Sequence, residues 1–345
     1  MAKIMTKKNT SSGRSQAIRQ RMILLLKLTF VVGLLYFLAK KGFISVQATR
    51  AALTQWQKII PAFLGLCFTT LLGVFRWHWL LQAHNIHLRL SKVFHLTLIG
   101  SFFNIALPGA VSGDFVKAFY VGKEAKGQRT RAFGSILFDR VAGLSALVVL
   151  SASAILLQFR TILHTPLFGA IQLLVGIAAG CVVVFYGYLF VVRERHDIFL
   201  IMLKRIERKF SSIGSITRIY ESLRHYHHHR FTVLKVLMIS GLIQITVGWC
   251  FLKFAQSLGE TSLSPISLCI IVPLGLLVTA IPVAPAGVGT GNLAFLYFFN
   301  LIGSERGADI FSLFALSNIL IGFIGGIVYF QFRGAHAELP DSVES

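Results

Sequence analysis

Long apolar runs separated by short basic or polar loops set the pattern of this chain. Met22 to Ala39, Ile59 to Leu81, Phe133 to Phe159, Leu167 to Val192, Val233 to Gln256 and Ile310 to Phe332 are each long and apolar enough to cross a bilayer as a helix. Two further runs are apolar but broken. The first, Val93 to Val116, is interrupted at Pro108-Gly109, passes through Ala110, Ser112 and Gly113, and delivers Asp114 with Lys117 one turn later. The second, Pro265 to Leu301, carries Pro285, Gly287, Gly289, Gly291 and Asn292 in a similar order. Proline removes a backbone donor and glycine loosens a helix, and inside a bilayer the freed polar groups must be satisfied by protein or by water in a cavity. Each break therefore predicts a re-entrant hairpin that lines a polar site.

Composition agrees with that pattern. Of 345 residues 55% are hydrophobic and 14% charged, with a mean hydropathy of +0.71. Soluble domains carry about 25% charged residues, so the fold class expected is all-α and polytopic, with little mass outside the membrane. The net charge of +21 would suit nucleic acid if it lay on a folded face, but it lies in the short loops. It reads instead as the positive-inside signal, with anionic lipid headgroups as partners and no nucleic acid.

The loop charges give directions. Residues 117–131 hold five bases and one acid, and residues 193–230 nine bases against four acids, so both read as cytoplasmic; residues 257–264 hold one acid and no base. Residues 1–21 then form a basic cytoplasmic tail, 22–332 a single transmembrane domain with halves at about 22–160 and 167–332, and 333–345 a second cytoplasmic tail. The halves have mirror topologies, and broken segments in corresponding places of two such halves point to the site of a transporter built from inverted repeats. Within the largest loop, Ile198 to Phe210 alternates an apolar with a basic face, as suits a helix in the headgroup layer.

The candidate site residues cluster at the breaks. A charge at the depth of Asp114 costs roughly 2.5–3.5 kcal/mol on insertion scales and is kept for function or paired; capping a helix that begins at Phe115 is the structural alternative. Lys117 is either its i,i+3 partner or a ligand for a lipid phosphate. Asp139 and Arg140 project about 100° apart on a helix, so each pairs elsewhere, in an interhelix bridge or with a headgroup. Arg76, between Trp77 and Trp79, is either an interface cation or a phosphate ligand. Asn104, Pro108, Gly109 and Gly113 complete the first break, and Pro285, Gly287, Gly289 and Asn292 the second, with Asn292 bonding either a headgroup or the broken backbone. The histidines of His225 to Arg230 have no cysteine or acid beside them and read as an interfacial segment, not a metal site. Cys67, Cys181, Cys250 and Cys269 lie in apolar runs as packing residues. No cofactor, phosphate loop or Ser/His/Asp order is expected.

Pro108-Gly109 stands four residues ahead of Gly113-Asp114, Asp139-Arg140-Val141-Ala142-Gly143-Leu144 opens the next span, and Pro282-Val283-Ala284-Pro285-Ala286-Gly287-Val288-Gly289 lies near the end. In these motifs and their order, from about Arg21 to Phe332, the chain resembles the lysylphosphatidylglycerol synthase transmembrane-region family. The resemblance implies a flippase-like protein of the cell (inner) membrane that moves a phospholipid or polyprenyl-linked lipid between leaflets. It departs from the family at Gly109-Ala110, where a double glycine is common, at Lys117 for arginine, at Asp139 for glutamate and at Asn292 for glutamate. The soluble aminoacyl-transferase domain of the synthases is not expected within these 345 residues. Two other readings stand beside transport: a membrane-embedded enzyme acting on a lipid phosphate or lipid-linked sugar with Asp114 or Asp139 as base, and an accessory subunit that anchors a separate soluble lipid-modifying enzyme.

Overall fold

The structure, a computed structural model, describes residues 46–106, 112–125, 128–157, 166–192, 196–210, 214–279 and 289–337. The expected first span Met22 to Ala39, both expected tails apart from residues 333–337, and the turns holding Pro108, Gly109, Pro285 and Gly287 lie outside them. The described residues from Gln47 on belong to one compact unit. They are all-α, with no strand among them: α1 (Val46–Thr54), α2 (Trp56–Ala83), α3 (Leu90–Ala106), α4 (Ser112–Glu124), α5 (Arg129–Leu157), α6 (Pro166–Val191), α7 (Ile198–Lys209), α8 (Gly214–Arg224), a 3-10 turn (His225–His228), α9 (Arg230–Ser257), α10 (Pro265–Thr279), α11 (Thr290–Asn300) and α12 (Gly307–Ala337). Five of these, α2, α5, α6, α9 and α12, are long and apolar enough to cross a membrane. They fall on five of the six expected spans, and α12 continues to Ala337, past the expected end at Phe332.

Helix ends sort onto two faces. On the first, the ends of α2, α4 and α6 meet the starts of α3, α5 and α9. Lys92 pairs with Glu124 there. The 3-10 turn closes the carbonyl ends of two helices at once. His225 bonds the Ala83 carbonyl at 3.0 Å, the Tyr226 hydroxyl donates to Leu80 at 3.1 Å, and His227 bonds the Leu189 carbonyl at 2.8 Å. His84 stacks on His225 with ring centroids 5.1 Å apart; burial, with His225 beside it, pushes its pKa down to about 3. The histidines thus act as capping groups, and among the described residues no three metal-ligating side chains converge. On the opposite face, Lys58 donates to the Gln256 carbonyl at 3.0 Å and Arg306 to the Leu258 carbonyl at 2.8 Å.

Two helix pairs are shorter. α3 (17 residues) and α4 (13 residues) lie antiparallel: Gly113 faces Gly100 and Asn104 near the turn, Val121 joins Val93 and Leu96, and Lys92 meets Glu124 at the open end. α10 (15 residues) and α11 (11 residues) do the same, with Gly275 against Phe295 and Ile270 near Phe298. A side chain at Gly113 would overlap the Gly100 carbonyl, and one at Gly325 the Leu98 carbonyl, so these two crossings exist because the residues are glycine. α3–α4 opens on the first face and α10–α11 on the opposite one.

The packing has a regularity. Exchanging α2 with α9, α3 with α10, α4 with α11 and α5 with α12 maps the packed pairs onto one another: α2–α3 onto α9–α10, α4–α5 onto α11–α12, α3–α12 onto α10–α5, and α2–α5 onto α9–α12.

Below the first face, Asp197 ties α6, α7 and α8 together. It is fully buried and accepts from the Leu200 amide at 2.9 Å and from the hydroxyls of Tyr188 and Tyr220 at 2.8 and 2.9 Å. It pairs with Arg224 at 2.9 Å, whose guanidinium also donates to the carbonyls of Tyr188 and Leu189 at the end of α6. Burial alone would raise the carboxyl's pKa, but the amide, the two hydroxyls and Arg224 outweigh it and hold it below its usual value. Because the folded value lies below the unfolded one, Asp197 stabilises this corner above about pH 4, and the contribution fades as pH falls through the folded value. Limited proteolysis of the purified protein is expected to leave residues 196–224 protected from pH 7 to 5 and to cut them increasingly at more acid pH. In Asp197→Asn, where Arg224 is left buried without its partner at a cost of about 3–5 kcal/mol, cutting is expected already at pH 7.

Candidate functional site

On α2, Thr69, Thr70, Gly73, Arg76 and Trp77 stand at i, i+1, i+4, i+7 and i+8, a spacing that keeps them on one helix face. That face, with Thr97 and Ser101 of α3, Lys117 of α4 and Asp139 of α5, lines a cleft of about 240 Å³. At 1.5 Å per residue it reaches from the midpoint of α2 to about 10 Å from the helix end on the first face.

One ion pair lines the cleft and a second stands beside it, next to Lys117. Arg76, 12% exposed, grips Asp139 with two parallel bonds, Nε to Oδ1 at 2.6 Å and Nη2 to Oδ2 at 2.9 Å. Its Nη1 donates to Ser240 Oγ of α9 at 3.0 Å, so one guanidinium joins α2, α5 and α9. Asp114, in the first turn of α4, takes Nε of Arg140 from α5 and lies 3.7 Å from Lys117. Successive residues on α5 thus reach different partners. Lys117, 15% exposed, extends over Gly100, and its ammonium sits 5.2 Å above the Trp77 ring. It makes no hydrogen bond among the described residues.

The hydroxyls are one-sided. Thr69 and Thr70 donate to the Leu66 carbonyl at 2.8 and 3.0 Å, Thr97 to Val93 at 2.9 Å and Ser101 to Thr97 at 3.0 Å. A hydroxyl has one proton, so each offers the cleft only its lone pairs. Ser240 shows the pattern completed: it donates to Val236 at 2.7 Å and accepts from Arg76.

The structure brings together Arg76, Asp114, Lys117, Asp139 and Arg140. Asn104 and Gly113 serve the turn instead, since Asn104 Oδ1 accepts from the Gly113 amide at 2.8 Å. The capping alternative for Asp114 does not fit: the helix begins at Ser112, not Phe115, and the Gly113 amide of its first turn is taken by Asn104, while the Asp114 carboxylate pairs with Arg140. Arg76 is bonded inside the bundle rather than reaching for an interface, and Trp77 is buried, its Nε1 donating to Ser135 at 3.2 Å. The residues missed by sequence reading are Thr69, Thr70, Thr97, Ser101 and Ser240, although the stripe of Thr69, Thr70, Gly73 and Arg76 could have revealed the α2 wall.

Gly289 and Asn292 lie on the other hairpin in a matching register. Asp114 is the third residue of α4 behind Ser112-Gly113, and Asn292 the third of α11 behind Thr290-Gly291. Gly289 has φ +95°, and its amide donates to Asn292 Oδ1 at 3.1 Å; Nδ2 of Asn292 donates to Ser312 at 2.8 Å and to the Ala308 carbonyl at 3.1 Å. Three residues on, where the first hairpin has Lys117 against Gly100, the second has Phe295 against Gly275. Phe295 stacks between Phe251 and Phe311, 4.9 Å from each.

A family model described as the lysylphosphatidylglycerol synthase TM region matches residues 24–325. The chain belongs to that family. No match was found among curated proteins or solved structures. The region matched to the lysylphosphatidylglycerol synthase TM family contains every cleft residue and both hairpins. Together with the five long apolar helices, it identifies a multi-pass membrane protein.

Proposed function

We propose that this protein carries a lipid, a phospholipid or a polyprenyl-linked one, between the leaflets of the cell membrane. The cleft receives the headgroup while the acyl chains stay in the bilayer. The observation that carries this reading is the chemistry of the cleft. Arg76 and Lys117 line it with Asp139, one positive charge in excess, while Asp114 and Arg140 pair beside Lys117, whose ammonium has N–H groups to give to a phosphate. The acceptor-only hydroxyls favour a headgroup that also brings O–H or N–H donors. Both carboxylates are held by arginines, which suits binding better than the proton abstraction an enzyme would need.

The two hairpins serve the same reading. Their arms of 11 to 17 residues fall short of the roughly 20 needed to cross, so each is re-entrant, from opposite faces. Exchange of the packed pairs between halves supports an inverted repeat. The basic first face is cytoplasmic, with both termini on that side.

Leaflet exchange in vesicles reconstituted with the purified protein, followed with headgroup-labelled phospholipids and an impermeant quencher, tests the proposal. Glycerol- and ethanolamine-bearing lipids are expected to exchange on the order of tenfold faster than choline lipids, whose quaternary nitrogen has no donor, and Lys117→Met is expected to slow them. Absence of exchange for these lipids and for a polyprenyl phosphate would sink the reading.

A further inference from the structure

A second cavity, separate from the cleft, lies where the end of α6 meets α7 and α8. It measures about 450 Å³, and its wall includes Phe185, Leu189, Ile198, Phe199, Met202 and Leu223. Three polar residues also border it, but each is already engaged. The hydroxyls of Tyr188 and Tyr220 are given to Asp197, and the Arg224 guanidinium to Asp197 and to carbonyls of α6. The groove therefore accepts hydrocarbon and makes no demand for hydrogen bonds.

The chemistry changes along α7. Ile198, Met202, Arg205 and Lys209 are spaced i, i+4, i+7 and i+11, one continuous stripe on the helix. All four are at least partly exposed, Ile198 to 78%. Met202 to Arg205 is about 4.5 Å along the axis and Met202 to Lys209 about 10 Å, so an apolar wall becomes a basic one within a headgroup's reach. Arg208 adds a further exposed base beside them. Among the described residues the neighbouring helix is the least covered of the long ones: 11% of the apolar window of α6 is buried, against 22% to 61% in the other four. Val183, Val184 and Val191 are mostly exposed on it. A molecule entering the groove therefore comes from the bilayer.

We infer that the α6–α7–α8 corner binds one anionic phospholipid of the leaflet on the basic face, with an acyl chain in the groove and its phosphate at Arg205 and Lys209. This site stands whether or not the cleft transports lipid. Asp197 keeps it in shape by fixing α7 and α8 to the end of α6.

Native mass spectrometry of the full-length protein in detergent tests it, titrating phosphatidylglycerol against phosphatidylcholine of the same chains. Lys117→Met serves as background, so that binding in the cleft does not obscure the result. The expected result is one phosphatidylglycerol retained with a preference on the order of thirtyfold, the worth of two basic side chains near an anionic headgroup. Arg205→Gln with Lys209→Gln should bring the two lipids to parity, and Met202→Trp, which fills the groove, should remove the adduct for both. The first pair is exposed on α7, so its fold is expected to survive, as a thermal unfolding curve will verify; Arg205→Glu with Lys209→Glu should turn the preference toward phosphatidylcholine. Equal binding of the two lipids, or an adduct unchanged in both kinds of variant, overturns the inference. So does a co-purified polypeptide, in place of lipid, that Met202→Trp displaces.

Discussion

Asp114→Asn is expected to yield a folded protein that no longer exchanges lipid. Asparagine has nearly the same shape and remains in the first turn of α4, where Asn104, not residue 114, bonds the Gly113 amide. The change is one of charge. Beside the cleft Asp114 is the anion held by Arg140 and approached by Lys117, and in the proposed carrier an entering phosphate would take its place. On release the carboxylate must be able to take those bases back. Without it they stay on the phosphate, whose departure slows by roughly ten- to a hundredfold when the empty state lacks one charge-assisted hydrogen bond. Exchange should fall to the vesicle background while more phospholipid co-purifies. Flux at the wild-type level in this variant would remove Asp114, and the carrier mechanism with it.

Arg76→Leu should fail differently. Its guanidinium holds Asp139 in two bonds and Ser240 in a third, so removing it strands a carboxylate inside the bundle. Breaking a buried pair on one side costs about 3–5 kcal/mol, whereas replacing both partners with apolar groups is often close to neutral. The thermal midpoint in detergent should drop by about 10 °C for Arg76→Leu and recover most of that in Arg76→Leu with Asp139→Leu. The recovered double variant should still not transport, since the cleft has lost its polar wall. An unchanged midpoint in the single variant would show that the pair is not what joins α2, α5 and α9.

The sequence carried much of this architecture and little of its wiring. Five long apolar helices were legible because an apolar run of twenty or more residues has few other fates, and Pro108 and Pro285 marked the breaks on either side of which the shorter helices pair, because proline punctuates a helix. The charges Asp114, Lys117, Asp139, Arg140 and Arg76 stood out for the same reason, as groups too costly to leave in lipid. Partner choice was not legible. Arg76 and Asp139 are 63 residues apart, and only packing of α2 on α5 brings them together. The cleft hydroxyls were hidden by their ordinariness, for threonine and serine are tolerated throughout membrane helices. What gives Thr69 or Thr97 a role is the direction of a proton.

The stack around Phe295 stands in one half where charges stand in the other. In the proposed carrier, two sides made of such different materials respond to different conditions. Parting the charged side separates buried ion pairs, which salt screens little, and depends little on cooling. Parting the ring side is eased by cooling, which weakens apolar cohesion, and is indifferent to salt. The two directions of that carrier are then not equivalent: the slow step of its cycle would pass from one side of the membrane to the other as temperature changes.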